Sequence, residues 1–463
     1  MTDFAALLRP DKGEPAHDIH LVAQGDIETW LKDRPERERV AAGAQNFDGK
    51  TNDLAILPGD AAENWSVAVS TDSADEPSLW SLAKAGQSLP EGTYRLANKE
   101  PGAAALGWLL AHNQMGGYRQ SPDPAKQRVL LTPQAASIDR LVREAEATAL
   151  VRNLVNTPPE DMGPPHLEAA AREVAKLFDA EIRVTTGDEL AQGYPMIHAV
   201  GRAATREFAP RLIELEWGDP SHPRVAIVGK GVCFDSGGLD IKSAAGMLLM
   251  KKDMGGAAHA LALARLVMGA KMPVRLHLLI PAVENAISSN SFRPGDVLKT
   301  RKGLFVEVGN TDAEGRLILG DALTRACDDE PALMIDFATL TGAARVALGP
   351  DLPAMFTDDE TIADELVAAG SSVEDPLWRL PLWDGYDEYL KSDIADLSNN
   401  SNVPMAGAST AALFLRRFVE KSVPWVHFDT YAWRLSAKPG RPKGGEALGL
   451  RASWTMLQSR FGG

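Results

Sequence analysis

Apolar residues recur along the chain with two periods, and the changes between them mark the elements. Residues 53–58 (DLAILP) and 128–131 (RVLL) are short apolar runs with the length and boundaries of strands. Residues 103–112 (AAALGWLLAH) are apolar on every side, which predicts a buried helix ending near Gly116-Gly117. Over 137–156, Ile138, Leu141, Val142, Ala145, Leu150, Val151 and Leu154 fall on one helical face. Ser137 is placed to cap that helix and Thr157-Pro158-Pro159 to stop it. A second helix is expected over 166–178, then strands at 181–185, 211–215 and 224–228. Strands alternating with helices point to an α/β fold, with a mainly parallel sheet covered on both faces. We therefore expect an α/β domain over 1–135, a linker helix over 136–156 and a larger domain over 157–463.

Composition adjusts this picture little. A chain of 463 residues has room for two or three domains, and 44% hydrophobic with 24% charged residues suits a soluble protein with a large core. The net charge of −15 argues against a broad nucleic-acid-binding face and against an anionic membrane surface. Cys233 and Cys327 are too few for a disulfide framework and fit a reducing compartment. The start, Met1-Thr2-Asp3-Phe4, has no basic segment followed by an apolar one. No run reaches the ~20 apolar residues of a membrane span. The expected location is the cytoplasm.

Candidate chemistry concentrates in three glycine-flanked turns. The first is NTDAEGRL at 310–317, between a strand-like run (304–308) and a helical one (317–323). If that segment is extended, Asp312, Glu314 and Arg316 point to one side, and the paired acids call for a cation. An isolated D-x-E-x-R is usually a solvated turn. The second turn, GKGVCFDSGGLDIK at 229–242, offers Lys230, Asp235 and Lys242. It lacks the spacing of a phosphate-binding loop. The third, MKKDMGGAA at 250–258, offers Asp253, which taken alone reads as a helix cap. Together the turns supply four carboxylates and an amine, enough to hold two divalent ions about 3.5–4 Å apart. His17, Asp18, His20 and His112 have no partner motif and read as surface or core residues.

These stretches, with RPGDV at 293–297, DFATLTGA at 336–343 and KSDIAD at 391–396, resemble the leucyl aminopeptidase family, the dinuclear cytosol aminopeptidases. The likeness covers roughly 150–460. It implies a smaller macro-like N-terminal α/β domain and a catalytic α/β/α domain with a mixed central sheet. By the same resemblance, Lys230, Asp235, Asp253 and Glu314 would hold a tighter metal. Asp235, Asp312 (with its backbone carbonyl) and Glu314 would hold a more exchangeable one. The metals are Zn or Mn, with Mg and Co as further candidates. Lys242 would polarise the scissile carbonyl, and Arg316 would hold a bicarbonate acting as base. Met250, Thr339, Leu340 and Gly342 would line the pocket for the first side chain of a peptide substrate, favouring Leu or Met. Homohexamers are typical of the family. The chain departs from the family's pattern at Glu160 and over 426–445, around Trp433. An additional or substituted DNA-binding or scaffold role is the rival reading, disfavoured by the acidic charge.

Overall fold

A computed structural model describes residues 2–61, 63–97, 99–113, 118 and 126–462, and they form two compact units. The first comprises Met1–Ala149 with Ser436–Lys443, the second Leu150–Leu435 with Gly444–Gly463. The division thus falls inside the helix Ile138–Asn156, rather than at its ends, and a late segment joins the first unit.

In the first unit, strands β1 (Leu8–Pro10), β2 (His17–Ala23), β3 (Leu54–Pro58), β4 (Trp65–Thr71), β5 (Gly92–Leu96) and β6 (Arg128–Thr132) form one sheet. Its order is β1-β6-β5-β2-β4-β3, and only β3 runs antiparallel to its neighbour. The helix Ala104–Ala111 is buried along its whole length, as its unbroken apolar run requires. It ends at Ala111; Gly116-Gly117, its expected stop, lie outside the described residues. Ser137 does not start the next helix but ends a short 3-10 turn, its Oγ donating to Gln134 O at 2.8 Å.

The second unit is built on a nine-stranded mixed sheet. Its strands are β7 (Glu181–Thr186), β8 (Arg211–Trp217), β9 (Arg224–Gly229), β10 (Gly231–Asp235) and β11 (Arg275–Asn285). After the short β12 (Val297–Lys299) and β13 (Phe305–Glu307) come β14 (Leu333–Ala338), β15 (Ala354–Phe356), β16 (Trp378–Arg379), β17 (Leu397–Ser398) and β18 (Trp425–Asp429). The order is β16-β15-β18-β14-β9-β11-β8-β7, with β10 beside β11; β12, β13 and β17 make a separate small sheet. The central run β18, β14, β9 and β11 is parallel, with Ile335 paired to both Ile227 and Val426. Ala226 and Val228 of β9 join one core with Leu317, Ile318 and Leu319 of the helix Glu314–Cys327. The alternate residues Val225 and Ile227 face the other side of the sheet, where the helix Gly255–Gly269 packs. Both faces are covered, so the strands read as near-continuous apolar runs. The parallel strands all end at one edge, where ligands of such sheets bind. At that edge Lys230 follows β9, Asp235 ends β10, Thr339 follows β14 and Asp429 ends β18.

Candidate active site

Lys230 is fixed by its backbone, whose N–H donates to Phe337 O at 2.9 Å and whose carbonyl accepts from Ala257 N at 2.8 Å. Its ammonium lies 2.7 Å from Asp253 Oδ2 and 3.0 Å from Glu314 Oε1, and donates to Thr339 O at 3.1 Å. It reaches them because residue 315 is glycine: a Cβ there would stand 2.4 Å from Lys230 Cε. Burial disfavours the charge on Lys230, but Asp253, Glu314 and Asp235 outweigh burial and hold its pKa above the ordinary value. Asp253 is therefore no helix cap. Its Oδ1 accepts from Thr339 Oγ1 at 2.8 Å, and Met254 takes the cap position without a side-chain bond.

Asp235 Oδ1 accepts from Gly237 N at 2.9 Å and from Asn285 Nδ2 at 2.8 Å, leaving Oδ2 2.8 Å from Lys242 Nζ. The turn after it passes through Gly237 and Gly238 at φ +88° and +67°, a region closed to most side chains. Lys242 also contacts Asp312.

Asp312 and Glu314 converge, though not by extended alternation. Asp312 sits in a turn, its N–H donating to Asn310 Oδ1 at 2.8 Å, and Glu314 is the first residue of the helix Glu314–Cys327. The helix start favours a carboxylate there. Arg316 lies inside the same helix, buried, with Nη1 donating to Asn399 O at 2.8 Å and Nε without a hydrogen-bond partner among the described residues. Burial lowers its pKa to about 10.

Asp235, Asp312 and Glu314 each place a ligand oxygen within 4.8 Å of the others. Burial, then the charge of Asp235, raises Glu314 to about 8 and Asp312 to about 6. Glu314 Oε2 is buried with no hydrogen-bond partner among the described residues. Hard oxygen donors, mutual repulsion and an unsatisfied buried oxygen fit a divalent cation.

A cavity of about 430 Å³ opens over this cluster. Lys230, Asp235, Lys242, Asp253, Asp312 and Glu314 line it, together with Met250, Thr339, Leu340 and Gly342. Arg316 is not part of its wall. Four further residues at the site escaped the sequence reading. Asp429 Oδ1 accepts from Leu340 N at 3.0 Å and Thr341 N at 3.2 Å, and Oδ2 from Thr341 Oγ1 at 2.6 Å, so it holds the pocket loop. Asn399 accepts at Oδ1 from Gly309 N (2.8 Å) and Asn310 N (3.2 Å) and donates from Nδ2 to Asn310 O (2.8 Å) and Ala313 O (3.2 Å). Lys252 and Tyr431 line the cavity beside Met250. Asp429 alone carried a signal, as the last residue of an apolar strand-like run ending at the same sheet edge.

The catalytic-domain model of the cytosol aminopeptidase family matches residues 149–453. The chain belongs to that family. The M17 aminopeptidase N-terminal domain matches residues 18–131. A probable cytosol aminopeptidase of Syntrophotalea carbinolica is 42% identical over 70% of this chain and 65% of its own length. One from Roseiflexus castenholzii is 41% identical over 75% of each chain. The structure resembles a solved cytosol aminopeptidase from Coxiella burnetii, with TM-score 0.92 and 45% identity over 98% of this chain and 99% of that one. It also resembles the bottromycin maturation enzyme BotP in complex with Mn, with TM-score 0.85 and 29% identity over 96% and 100% of the two chains. Family membership makes this chain a metal-dependent aminopeptidase. Among the described residues no helix is long and apolar enough to cross a membrane.

Proposed function

We propose that the chain removes the N-terminal residue of peptides using two divalent ions, Zn or Mn with Mg and Co as alternatives. Lys230, Asp235, Asp253, Asp312 and Glu314 would hold them. The carrying observation is the convergence of Asp235, Asp312 and Glu314 within 4.8 Å, with Glu314 Oε2 buried and unsatisfied. Divalent ions held by these residues would supply an activated water at neutral pH and Lewis-acid polarisation of the scissile carbonyl. Lys230, held charged here by Asp253, Glu314 and Asp235, would serve as an amine ligand only after giving up a proton to solvent, which a divalent cation sharing those carboxylates would favour. Lys242, paired here with Asp235 and Asp312, is then free to donate to the carbonyl oxygen as it becomes an oxyanion. By family likeness Arg316 would hold a bicarbonate that accepts the proton of the attacking water; its Nε is unpartnered among the described residues, but the guanidinium lies behind the cavity wall, so that role requires it to open onto the cavity. Thr339, Leu340 and Gly342, in a loop that Asp429 holds at Leu340 and Thr341, would position the first side chain against Met250. A homohexamer in the cytoplasm belongs to the same reading and rests on family likeness.

The test is hydrolysis of X-Gly dipeptides and X-p-nitroanilides by metal-stripped protein, with Mn, Zn, Co or Mg restored, beside Asp312→Ala. Metal-dependent release of the N-terminal residue, lost in the variant, is expected. No release with any metal by folded protein would contradict the proposal.

A further inference from the structure

Two lysines precede Asp253, and they are used differently. Lys251 Nζ donates to Asn156 O at 2.6 Å and lies 5.7 Å from the Trp433 ring, so it braces the wall of the unit. Lys252 is 95% buried in the opposite sense of a surface lysine: its relative exposure is 5%, and it lines the cavity that holds the carboxylate cluster and Met250. Among the described residues no hydrogen bond or ion pair is made by its ammonium, which lies 4.9 Å from the centre of the Tyr431 ring. The carboxylates whose charge reaches it are engaged elsewhere. Asp253 faces Lys230 and Thr339 Oγ1, and Asp429 is filled by Leu340 N, Thr341 N and Thr341 Oγ1. A second cation stands on the same ring, with the Arg345 guanidinium carbon 5.1 Å from its centre and Nη1 3.4 Å from Tyr431 Oη. Arg345 likewise has no carboxylate partner among the described residues and lines the same cavity.

A mostly buried lysine whose ammonium opens onto the cavity with no anion beside it is costly, and an aromatic face compensates it only in part. The deficit is one negative charge on the pocket side of Lys252. We propose that Lys252, with Arg345 at the rim, makes the pocket for the first side chain select an acidic N-terminal residue, so that peptides beginning with Glu or Asp are the preferred substrate class. This rests on the aminopeptidase reading above. The methylenes of Glu lie along Met250, while its carboxylate meets the ammonium in a charge-assisted hydrogen bond. An apolar first residue leaves Lys252 unpaired. The Leu or Met preference expected from Met250 alone thus omits the charge two residues further on.

The experiment compares kcat/KM of the metal-loaded full-length enzyme on Glu-, Gln- and Leu-p-nitroanilide, for wild type and Lys252→Met. Glu and Gln differ in charge and scarcely in shape, so the wild-type pair tests the pocket without any variant. Glu is expected to exceed Gln by about tenfold or more, the scale of one charged hydrogen bond. In Lys252→Met the Glu-to-Leu ratio falls by at least about tenfold. Wild type that cleaves Gln as well as or better than Glu, or a Glu-to-Leu ratio unmoved by Lys252→Met, overturns the inference. Cleavage of Leu-p-nitroanilide in the same samples separates the two claims. If it proceeds, only the acidic preference has failed; if no substrate is cleaved with any metal, the aminopeptidase reading falls, and this inference with it.

Discussion

Gly315 shows how one missing side chain can carry the site. It is buried in the first turn of a helix, where Gly→Ala ordinarily stabilises by about 0.5–1 kcal/mol. Here the added Cβ would stand 2.4 Å from Lys230 Cε and 2.7 Å from its Nζ. Gly315→Ala is therefore expected to destabilise by about 1–3 kcal/mol instead. It should also displace Lys230 from Asp253 and Glu314, weakening metal uptake. Chemical denaturation and a metal titration of the same variant check both, and a stabilised variant with normal uptake would refute the argument. At this scale the sequence was informative because motif residues sit in short glycine-rich turns, where local spacing sets what converges. It could not show Lys252 as unpaired, or Asn399 as a loop anchor, because both properties depend on neighbours 80 or more residues away in the chain. Tyr431 lies over Lys252, and Gly309 and Asn310 donate to Asn399.

At the scale of elements, the site is a set of strand ends and helix starts held in register by buried side chains, among them Asn399, which does not line the cavity. Asn399 is fully buried and ties four backbone groups of residues 309, 310 and 313 with both ends of its amide, while its carbonyl accepts from Arg316. Asn399→Ala leaves those groups unsatisfied, at about 1–3 kcal/mol for each buried one that water cannot reach. The turn carrying Asp312 should then loosen, with kcat falling more than thermal stability alone explains. Asn399→Ala with unchanged kcat and thermal midpoint would remove this role. Element types were legible for long periodic or unbroken apolar segments: the helices Ala104–Ala111 and Pro164–Leu177 and the strands β7, β8 and β9 stand where the pattern put them. Boundaries were not. The helix after the 310–317 turn begins at Glu314, three residues before its apolar run, because the carboxylate at its start is functional and breaks the apolar pattern.

Across the second unit, distant parts of the chain are joined by buried charge. Arg152 donates to Glu446 through Nε at 2.9 Å and Nη2 at 3.2 Å, and Arg434 Nε reaches the same carboxylate at 3.3 Å, with all three side chains buried. Burial pushes the Glu446 pKa up, but Arg152 and Arg434 outweigh it and hold the pKa below its ordinary 4.5. The unfolded chain therefore takes up a proton first as pH falls. The stabilisation is fully present above pH 4.5 and is lost as pH drops through the lower folded value. Glu446→Gln should cost about 3–5 kcal/mol at neutral pH by stranding two buried guanidinium groups. The gap to wild type should narrow below about pH 4.5; a gap independent of pH from 7 to 3 would assign the stabilisation elsewhere. Nothing in the sequence paired residues 152 and 446, since a buried ion pair across most of the chain leaves no local periodicity.

The central claim is that this carboxylate and lysine cluster works by holding two divalent ions. The most direct measurement is the number of ions per chain, by elemental mass spectrometry, on protein stripped and reloaded with Mn or Zn, with the rate of N-terminal release taken on each sample. The account predicts that full activity coincides with two ions per chain and that Asp312→Ala retains fewer than two and is inactive. Full activity at zero or one ion per chain, or two ions and full activity in Asp312→Ala, would contradict it.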